Sequence, residues 1–348
     1  MADRPAVSVI IPCYNLGAYL GEAVDSVLSQ TYQRFEVLIV DDGSTDPETA
    51  AVLADFRRPK TRVIRIEHQG VSAARNAGVA AAAGAYLCAL DADDRLRPEY
   101  FERAVPILDQ SPDVAFVSCW LRTFGDEAWD WKPERCDLPT LLWEDTVLTA
   151  ALVRRDVMLE IGGYDVAMPA QGGEDWDLWL TLAERGYRGT IIPEVLFDYR
   201  RRAGSLSTAS FYGAHHLPLT RHRITKHSKA YRSHLMDVFE HQDRETSTLL
   251  RLNDETERYI ASDLEPAVVQ RRQELARLRS RLASPAASPL DDAEPDSRRA
   301  AEDRLRELEA ALAATAAEVD ALRASMSWRI TQPLRTAYSR WLQWRGAP

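Results

Sequence analysis

The strongest constraint on how this chain can fold is a series of short segments that are apolar throughout, separated by stretches with helical periodicity. Val7-Ser8-Val9-Ile10-Ile11-Pro12 is a β-branched run closed by proline, and Glu36-Val37-Leu38-Ile39-Val40 ends at Asp41-Asp42-Gly43-Ser44. Val63-Ile64-Arg65-Ile66 and Tyr86-Leu87-Cys88-Ala89-Leu90 continue the series. Between them, Gly17 to Gln30 carries Leu20, Val24, Val27 and Leu28 at helical spacing, and the pattern predicts further helices over 47–56 and 71–83. A strand with one solvated face alternates in polarity. Runs that do not alternate need cover on both sides, which means a parallel sheet between two layers of helices. The first hundred residues therefore read as an α/β nucleotide-binding half.

In open α/β sheets, ligands gather beyond the carboxyl ends of the strands. Here those ends carry Asn15, Asp41, Asp42, Asp91 and Asp93. Asp and Asn also serve as plain turn formers, but several acidic turns on one edge argue for a site. The sharpest element is Ala89-Leu90-Asp91-Ala92-Asp93-Asp94. Carboxylates at i and i+2 leaving a strand project to the same side, and hard oxygen ligands suit Mg²⁺ or Mn²⁺.

Beyond this half the pattern mixes: a helix over 98–109, a strand over 114–117, and helices over 152–161 and 176–185. After Ser210 the chain becomes helical and charged, and a Ser-, Pro- and Ala-rich linker comes next. Leu305, Leu308, Leu312, Thr315, Val319, Leu322 and Met326 then alternate three–four spacing, which fits a short coiled coil or one amphipathic helix lying on the catalytic domain. Residues 327–348 hold Arg329, Arg335, Arg340 and Arg345 beside Trp328, Trp341 and Trp344, with no acid. Such a basic amphipathic tail suits a membrane surface, or a docking helix.

Hydrophobic residues make up 45% of the 348, enough for a core, and the formal net charge of -10 excludes a chain built to coat nucleic acid. Cys13, Cys88, Cys119 and Cys136 form no CxxC pair, so neither a zinc site nor a disulfide framework is expected. No run reaches transmembrane length and no signal peptide is read. The expectation is a cytoplasmic protein, with peripheral contact to the inner membrane face through the tail.

The ordered segments Ser8-Val9-Ile10-Ile11-Pro12-Cys13-Tyr14-Asn15, Val40-Asp41-Asp42-Gly43-Ser44-Thr45-Asp46, Gly70-Val71-Ser72-Ala73-Ala74-Arg75-Asn76-Ala77-Gly78, Asp91-Ala92-Asp93 and Gly172-Gly173-Glu174-Asp175-Trp176-Asp177 resemble glycosyltransferase family 2. The resemblance implies the GT-A fold, a Rossmann-like, mostly parallel sheet flanked by helices, here with a C-terminal helical extension. It implies a catalytic domain over 1–210, with a nucleotide-binding half (1–96) and an acceptor-binding half (97–210). After these come a helical region (211–283), a linker (284–300), the coiled-coil helix (301–326) and the tail (327–348).

The resemblance also assigns roles. Pro12, Tyr14 and Asn15 would line the nucleotide site, with Asp42 against the base, Asp41 nearby and Asp91 on the ribose. Asp93, with Asp91, would hold Mn²⁺ or Mg²⁺. Arg75 and Asn76 would help hold the nucleotide pocket, or Arg75 would organise the loops as a buried ion. Asp175, paired with Glu174, would be the general base; both acids also suit a first helical turn. One base without a second carboxylate nucleophile fits inverting displacement. The donor would be a nucleotide sugar, UDP-linked by family habit, and the acceptor a carbohydrate, free or lipid-linked, in cell-surface polysaccharide synthesis.

One departure stands out. Where relatives carry a metal-approaching His, Tyr199-Arg200-Arg201-Arg202 places Arg202. Arg cannot ligate a metal but suits phosphate, so Arg202 is expected on the donor diphosphate; His215 and His216 are the alternative ligands. Trp120, Trp129, Trp131 and Trp143 offer faces for a sugar or for core packing. A dehydrogenase is disfavoured because no GxGxxG succeeds the first strand, a nucleotidyltransferase because no early basic Gly-rich loop exists.

Overall fold

The computed structural model describes residues 5–202, 215–283 and 295–324, and the chain divides into two compact units, Met1–Phe239 and Glu240–Pro348. The first unit is a sheet with helices on both faces. Its strands are β1 (Val7–Cys13), β2 (Phe35–Asp42), β3 (Thr61–Ile66), β4 (Tyr86–Ala89), β5 (Arg95–Leu96), β6 (Val114–Gly125), β7 (Asp130–Trp131), β8 (Leu152–Arg154) and β9 (Arg188–Arg201). The order across the sheet is β3-β2-β1-β4-β8-β6-β9-β5, with β7 hung on β6. Among these, β1, β2, β3, β4, β6 and β9 run the same way, while the short β5, β7 and β8 oppose their neighbours. The mostly parallel α/β architecture expected from the sequence is present.

The helices of this unit are α1 (Gly17–Leu28), α2 (Pro47–Ala54), α3 (Val71–Ala81), α4 (Tyr100–Gln110), α5 (Leu138–Leu141), α6 (Arg155–Ile161) and α7 (Glu174–Glu184). The two-sided cover starts from β1 itself. Val7, Val9 and Ile11 join a core with Leu20, Val24 and Val27 of α1 and with Tyr100 and Phe101 of α4. Ile10, pointing the other way, joins Ala74 and Val79 of α3 and Trp179 of α7. Each such side chain contributes roughly 1.5–3 kcal/mol when fully buried. The α3–β1 approach depends on Gly78: a Cβ there would lie 2.3 Å from Ile10 Cγ2.

One expectation is corrected and one unread element is added. Leu152 to Arg154 does not open a helix but forms β8, antiparallel between β4 and β6. Without it those two strands would leave buried N–H and C=O groups unpaired, and the helix starts only at Arg155. The added element is β9, fourteen residues long and unread in the sequence. It pairs with β6 in a register that shifts between Cys119 and Trp120, where Ile192 is succeeded in the pairing by Val195. Pro193 sits at that irregularity, as a residue with no N–H to give must.

The boundary drawn at 210 separates strand-rich from helical sequence, whereas the first packing unit extends to Phe239 and includes the helices His216–Lys226 and Ser228–Ser233. In the second unit, the helix Pro295–Ala324 lies antiparallel to Glu265–Ala283, as Arg323–Glu265 (2.7 Å) and Arg279–Glu309 (2.6 Å) show. Val319 and Leu322 pack with Ile260 and Leu264. The heptad stripe is thus covered within its own unit by the preceding helix. The stripe's own helix begins at Pro295, inside the expected linker. Residues 284–294, Met326 and the basic tail 327–348 lie outside the described residues. No helix among the described residues is long and apolar enough to cross a membrane.

Candidate active site

Strands β1 and β2 end side by side, with Pro12 opposite Val40 and Cys13 opposite Asp41. The loops beyond them are joined by Asn15, which adopts a left-handed backbone (φ 56°) that Asn tolerates better than most residues. Its Oδ1 accepts the N–H groups of Thr45 and Asp46, each at 2.9 Å, and its own N–H donates to Ser44 Oγ at 3.2 Å. Tyr14 emerges exposed and stacks on His68, ring centroids 4.1 Å apart.

Asp41 is fully buried; its carboxylate accepts from Ser44 N–H (2.9 Å) and Arg65 Nε (2.7 Å). Burial pushes this carboxyl up, but the Ser44 and Arg65 hydrogen bonds outweigh it and hold the group below its ordinary value. The two oxygens of Asp42 accept the N–H groups of Gln69 and Gly70, both at 2.9 Å. Asp42 thereby fixes the loop that opens α3, and His68 Nδ1 lies 2.9 Å from Asp42 Oδ2.

The third acidic turn comes after β4. Asp94 is aimed inward, accepting Arg200 N–H at 2.7 Å. Burial, then the charges of Asp91 and Asp93, push its carboxyl well above the ordinary range. Asp93 faces the mouth; burial and the Asp91 charge raise it, and a hydrogen bond from Arg202 Nε (2.8 Å) works the other way. Three carboxylates within four residues form a concentrated negative site that calls for cations.

Arg75, 2% exposed, supplies one of them. From α3 its Nη2 reaches Asp91 Oδ1 (2.7 Å) and its Nη1 reaches Glu174 Oε1 (2.5 Å), while the guanidinium lies over Tyr164. Arg75 is thus a buried ion that ties two acidic turns together. Beside it, the Asn76 amide clasps Tyr164, donating to its carbonyl and accepting its N–H, both at 2.8 Å. Asn76 therefore holds a loop, and that loop approaches it through Gly163 (φ 78°), where a Cβ would fall 2.3 Å from Asn76 Oδ1.

Glu174 and Asp175 open α7 after Gly172 and Gly173, both at positive φ. Burial and the neighbouring Asp175 raise the Glu174 carboxyl, with Arg75 opposing them; Glu174 Oε2 is buried without a partner. Asp175 is more open. Its Oδ1 accepts Trp176 N–H at 2.9 Å and its Oδ2 accepts the Thr149 hydroxyl. Near this pair lies Asp145, pushed well up by burial and then by the Asp175 charge. Of the four tryptophans considered for sugar contact, Trp129 is the most exposed, and Trp131 packs against the core.

Sequence patterns do not single out His68, Thr149 or Asp145, and give Asp94 no role of its own. Asp94 has a signal, being the third acid of the same turn. The others carry none, because only the fold brings them to this edge.

A second ionic cluster ties α7 to the helices after it. Asp165, Asp177 and His222 are spaced as metal ligands could be, but Lys226 Nζ already bonds Asp165 (2.7 Å) and Asp177 (2.6 Å). An ammonium fills the position a metal would need. Next to it, buried His227 places Nε2 3.0 Å from Asp177 and Nδ1 2.6 Å from Glu184. Burial lowers the His227 value, but the Asp177 and Glu184 hydrogen bonds override it and the net shift is upward. Asp177, raised by burial but lowered more by His227 and Lys226, ends below its ordinary value.

The linkage has a definite sign. The His227 contribution is full below the unfolded value near 6.5 and is lost as pH rises through the raised folded value. That of Asp177 is present above 3.8 and is lost as pH falls through its depressed value. The melting temperature of the wild type is expected to fall as pH rises above neutrality, and His227→Gln to flatten that fall. Equal alkaline slopes in the two proteins would count against a charged His227.

Known proteins resemble this chain in sequence and fold. Residues 8–164 match the profile of Glycosyl transferase family 2. Over 224 residues the chain is 32% identical to the uncharacterized protein y4gI of Sinorhizobium fredii, spanning 60% of this chain and 24% of that protein's length. Over 220 residues it is 29% identical to Bacillus subtilis TuaG, whose name assigns it to teichuronic acid biosynthesis, with 61% of this chain and 85% of TuaG covered. A crystal structure of S. aureus TarS 1–349 in complex with UDP superposes with a TM-score of 0.50 at 19% identity, over 69% of this chain and 72% of that one; at that identity it is the fold that is shared. The acidic turns at the carboxyl edge and the matched segment agree: residues 8–164 lie in a domain that matches the Glycosyl transferase family 2 model and has the GT-A fold.

Proposed function

We propose that the protein is a metal-dependent, inverting glycosyltransferase that moves a sugar from a nucleoside diphosphate donor, UDP-linked in the first instance, to a glycan or lipid-linked glycan in cell-surface polysaccharide synthesis. The observation that carries this reading is the Arg75 fork. It joins the Asp91–Asp93 turn to the Glu174–Asp175 turn, so donor-side and acceptor-side acids share one edge. UDP is favoured because the TarS structure was obtained with it. The polysaccharide role is supported by the name of TuaG. Peripheral membrane contact rests on the tail sequence alone.

The donor set fits a hard divalent cation. Asp91 and Asp93 present oxygen only and are partly exposed, 34% and 15%, while Asp94 is turned away toward Arg200. Asp93, with Asp91, would hold Mn²⁺ or Mg²⁺, which when bound neutralises charge developing on the leaving diphosphate. The chain's own residues do the rest. Tyr14, stacked on His68, offers an aromatic face beside Asp42 for the base. Asn15, Asp41 and Asp42 keep the three loops of that pocket in place.

On the acceptor side, Asp175 removes the proton from the attacking hydroxyl. That oxygen bonds to the anomeric carbon from the face opposite the diphosphate, the glycosidic phosphate bond breaks with its electron pair, and the configuration inverts. Positioning of this kind supplies on the order of 7–11 kcal/mol in well-oriented systems.

A melting-temperature panel tests the reading: UDP, dTDP, GDP, CDP and ADP, each with Mn²⁺, with Mg²⁺ and with chelator. One nucleotide is expected to raise the melting temperature only with metal, by a stabilisation of about 2.7 kcal/mol at a hundredfold excess over Kd. A panel flat for every pair would sink the donor assignment.

A further inference from the structure

We infer that Arg202 is a built-in counter-cation for Asp93 which a divalent ion displaces, and that the displaced guanidinium passes to the donor diphosphate. This rests on the metal-dependent reading of the site.

The geometry separates Arg202 from its neighbour. Arg200 is fixed on all sides: its N–H is on Asp94 (2.7 Å), Nε on the Asp93 carbonyl (2.7 Å), and Nη2 on Glu22 (2.5 Å). Its guanidinium also lies against the rings of Tyr19 and Phe124. The backbone next to it is held too. Gly125, at φ 96°, comes so close that a Cβ would lie 2.5 Å from the Arg201 carbonyl, which accepts Asp126 N–H at 3.0 Å. The Arg202 side chain then extends to Asp93 Oδ2 at 2.8 Å and lies 5.4 Å from the Tyr19 ring centroid. It is 29% exposed and Asp93 15%, so the pair opens to the mouth rather than into the core.

A guanidinium held at this distance competes with a dication for the same carboxylate, since like charges a few ångströms apart repel strongly in a half-buried site. Asp93, half-buried and singly charged, is matched by one close cation at a time. The diphosphate resolves the competition by bringing enough negative charge for both. The metal takes Asp93, and the guanidinium, whose planar donors suit phosphate, takes a phosphate oxygen. Metal and diphosphate therefore bind together more tightly than either alone, and by linkage each strengthens the other by the same factor.

The test is Mn²⁺ binding to the full chain, read from the electron paramagnetic resonance signal of the free ion, without nucleotide and then with UDP. Arg202→Gln is expected to bind Mn²⁺ alone at least about tenfold more tightly than the wild type, by removal of a competing charge. Arg202→Lys, which keeps the charge and guards against a mere packing effect, stays near the wild type. UDP strengthens Mn²⁺ binding less in Arg202→Gln than in the wild type. Asp93→Asn loses binding in every state.

An Arg202→Gln protein with wild-type Mn²⁺ affinity overturns the exchange while leaving a metal-dependent enzyme, provided UDP and Mn²⁺ still bind the wild type together. Absence of Mn²⁺ binding in all variants, with or without UDP, overturns the metal reading and the exchange with it.

Discussion

Asp175→Asn is expected to lower kcat by about three orders of magnitude, within the ~10²–10⁴ range of a lost general base, with donor binding and melting temperature close to wild type. The substitution is nearly isosteric. Asp175 Oδ1 accepts Trp176 N–H and Oδ2 accepts the Thr149 hydroxyl. An Asn carbonyl keeps the first bond, and its amide can donate to the Thr149 oxygen with the hydroxyl turned away. The capacity to take a proton disappears. Because acceptor and donor still bind, the loss belongs in kcat and equally in kcat/KM, the mark of an interaction made in the transition state. Steady-state transfer assays with both substrates varied would show this. A variant with full kcat would remove Asp175 from the base role.

The second large effect is on stability. Arg75→Met is expected to cost about 3–5 kcal/mol, the usual penalty for removing one partner from a buried ionic group. Urea unfolding monitored by tryptophan fluorescence measures it. Arg75 is 2% exposed, and its loss strands Glu174, 6% exposed, whose Oε2 already has no partner. Arg75→Lys does not restore stability, because one ammonium cannot reproduce a fork that reaches two carboxylates in different directions. Adding Glu174→Gln to Arg75→Met recovers part of the loss, since the group left behind is then neutral. A loss under about 1 kcal/mol would mean that the fork is not what joins the two acidic turns. The transfer reaction should fail in Arg75→Lys even where the protein stays folded, because Asp91 and Glu174 are no longer held at a common edge.

Much of the site is visible in the order of residues along the chain. Val7 to Cys13 is buried on both faces and must be a central strand, so the residues just after it, Tyr14 and Asn15, must lie at the carboxyl edge. The same holds for Asp41 and Asp42 at the end of β2 and for Asp91 to Asp94 after β4. These are local inferences: periodicity sets the element, and the element sets where its last residues point. The reading fails where an element answers to partners rather than to its own pattern. Leu152 to Arg154 is a strand because β4 and β6 need one between them. The long β9 hides behind Pro193, which disrupts its pattern while leaving its pairing with β6 intact on either side.

Chain order alone is enough to say which acids, amides and aromatics stand at the edge, and that the segments bearing them resemble glycosyltransferase family 2. The partner that each one holds emerges only when distant segments pack together. Asp42 fixes the Gln69–Gly70 loop, Asn76 clasps Tyr164, Asp94 turns inward to Arg200, and Arg202 rests on Asp93. The division has one physical cause. Helix and strand identity depend on the spacing of neighbouring side chains, which the chain carries locally. The partner of a charged group is whichever opposite charge the fold brings within about 3 Å, and Arg75 finds Glu174 across 99 residues that no periodicity spans.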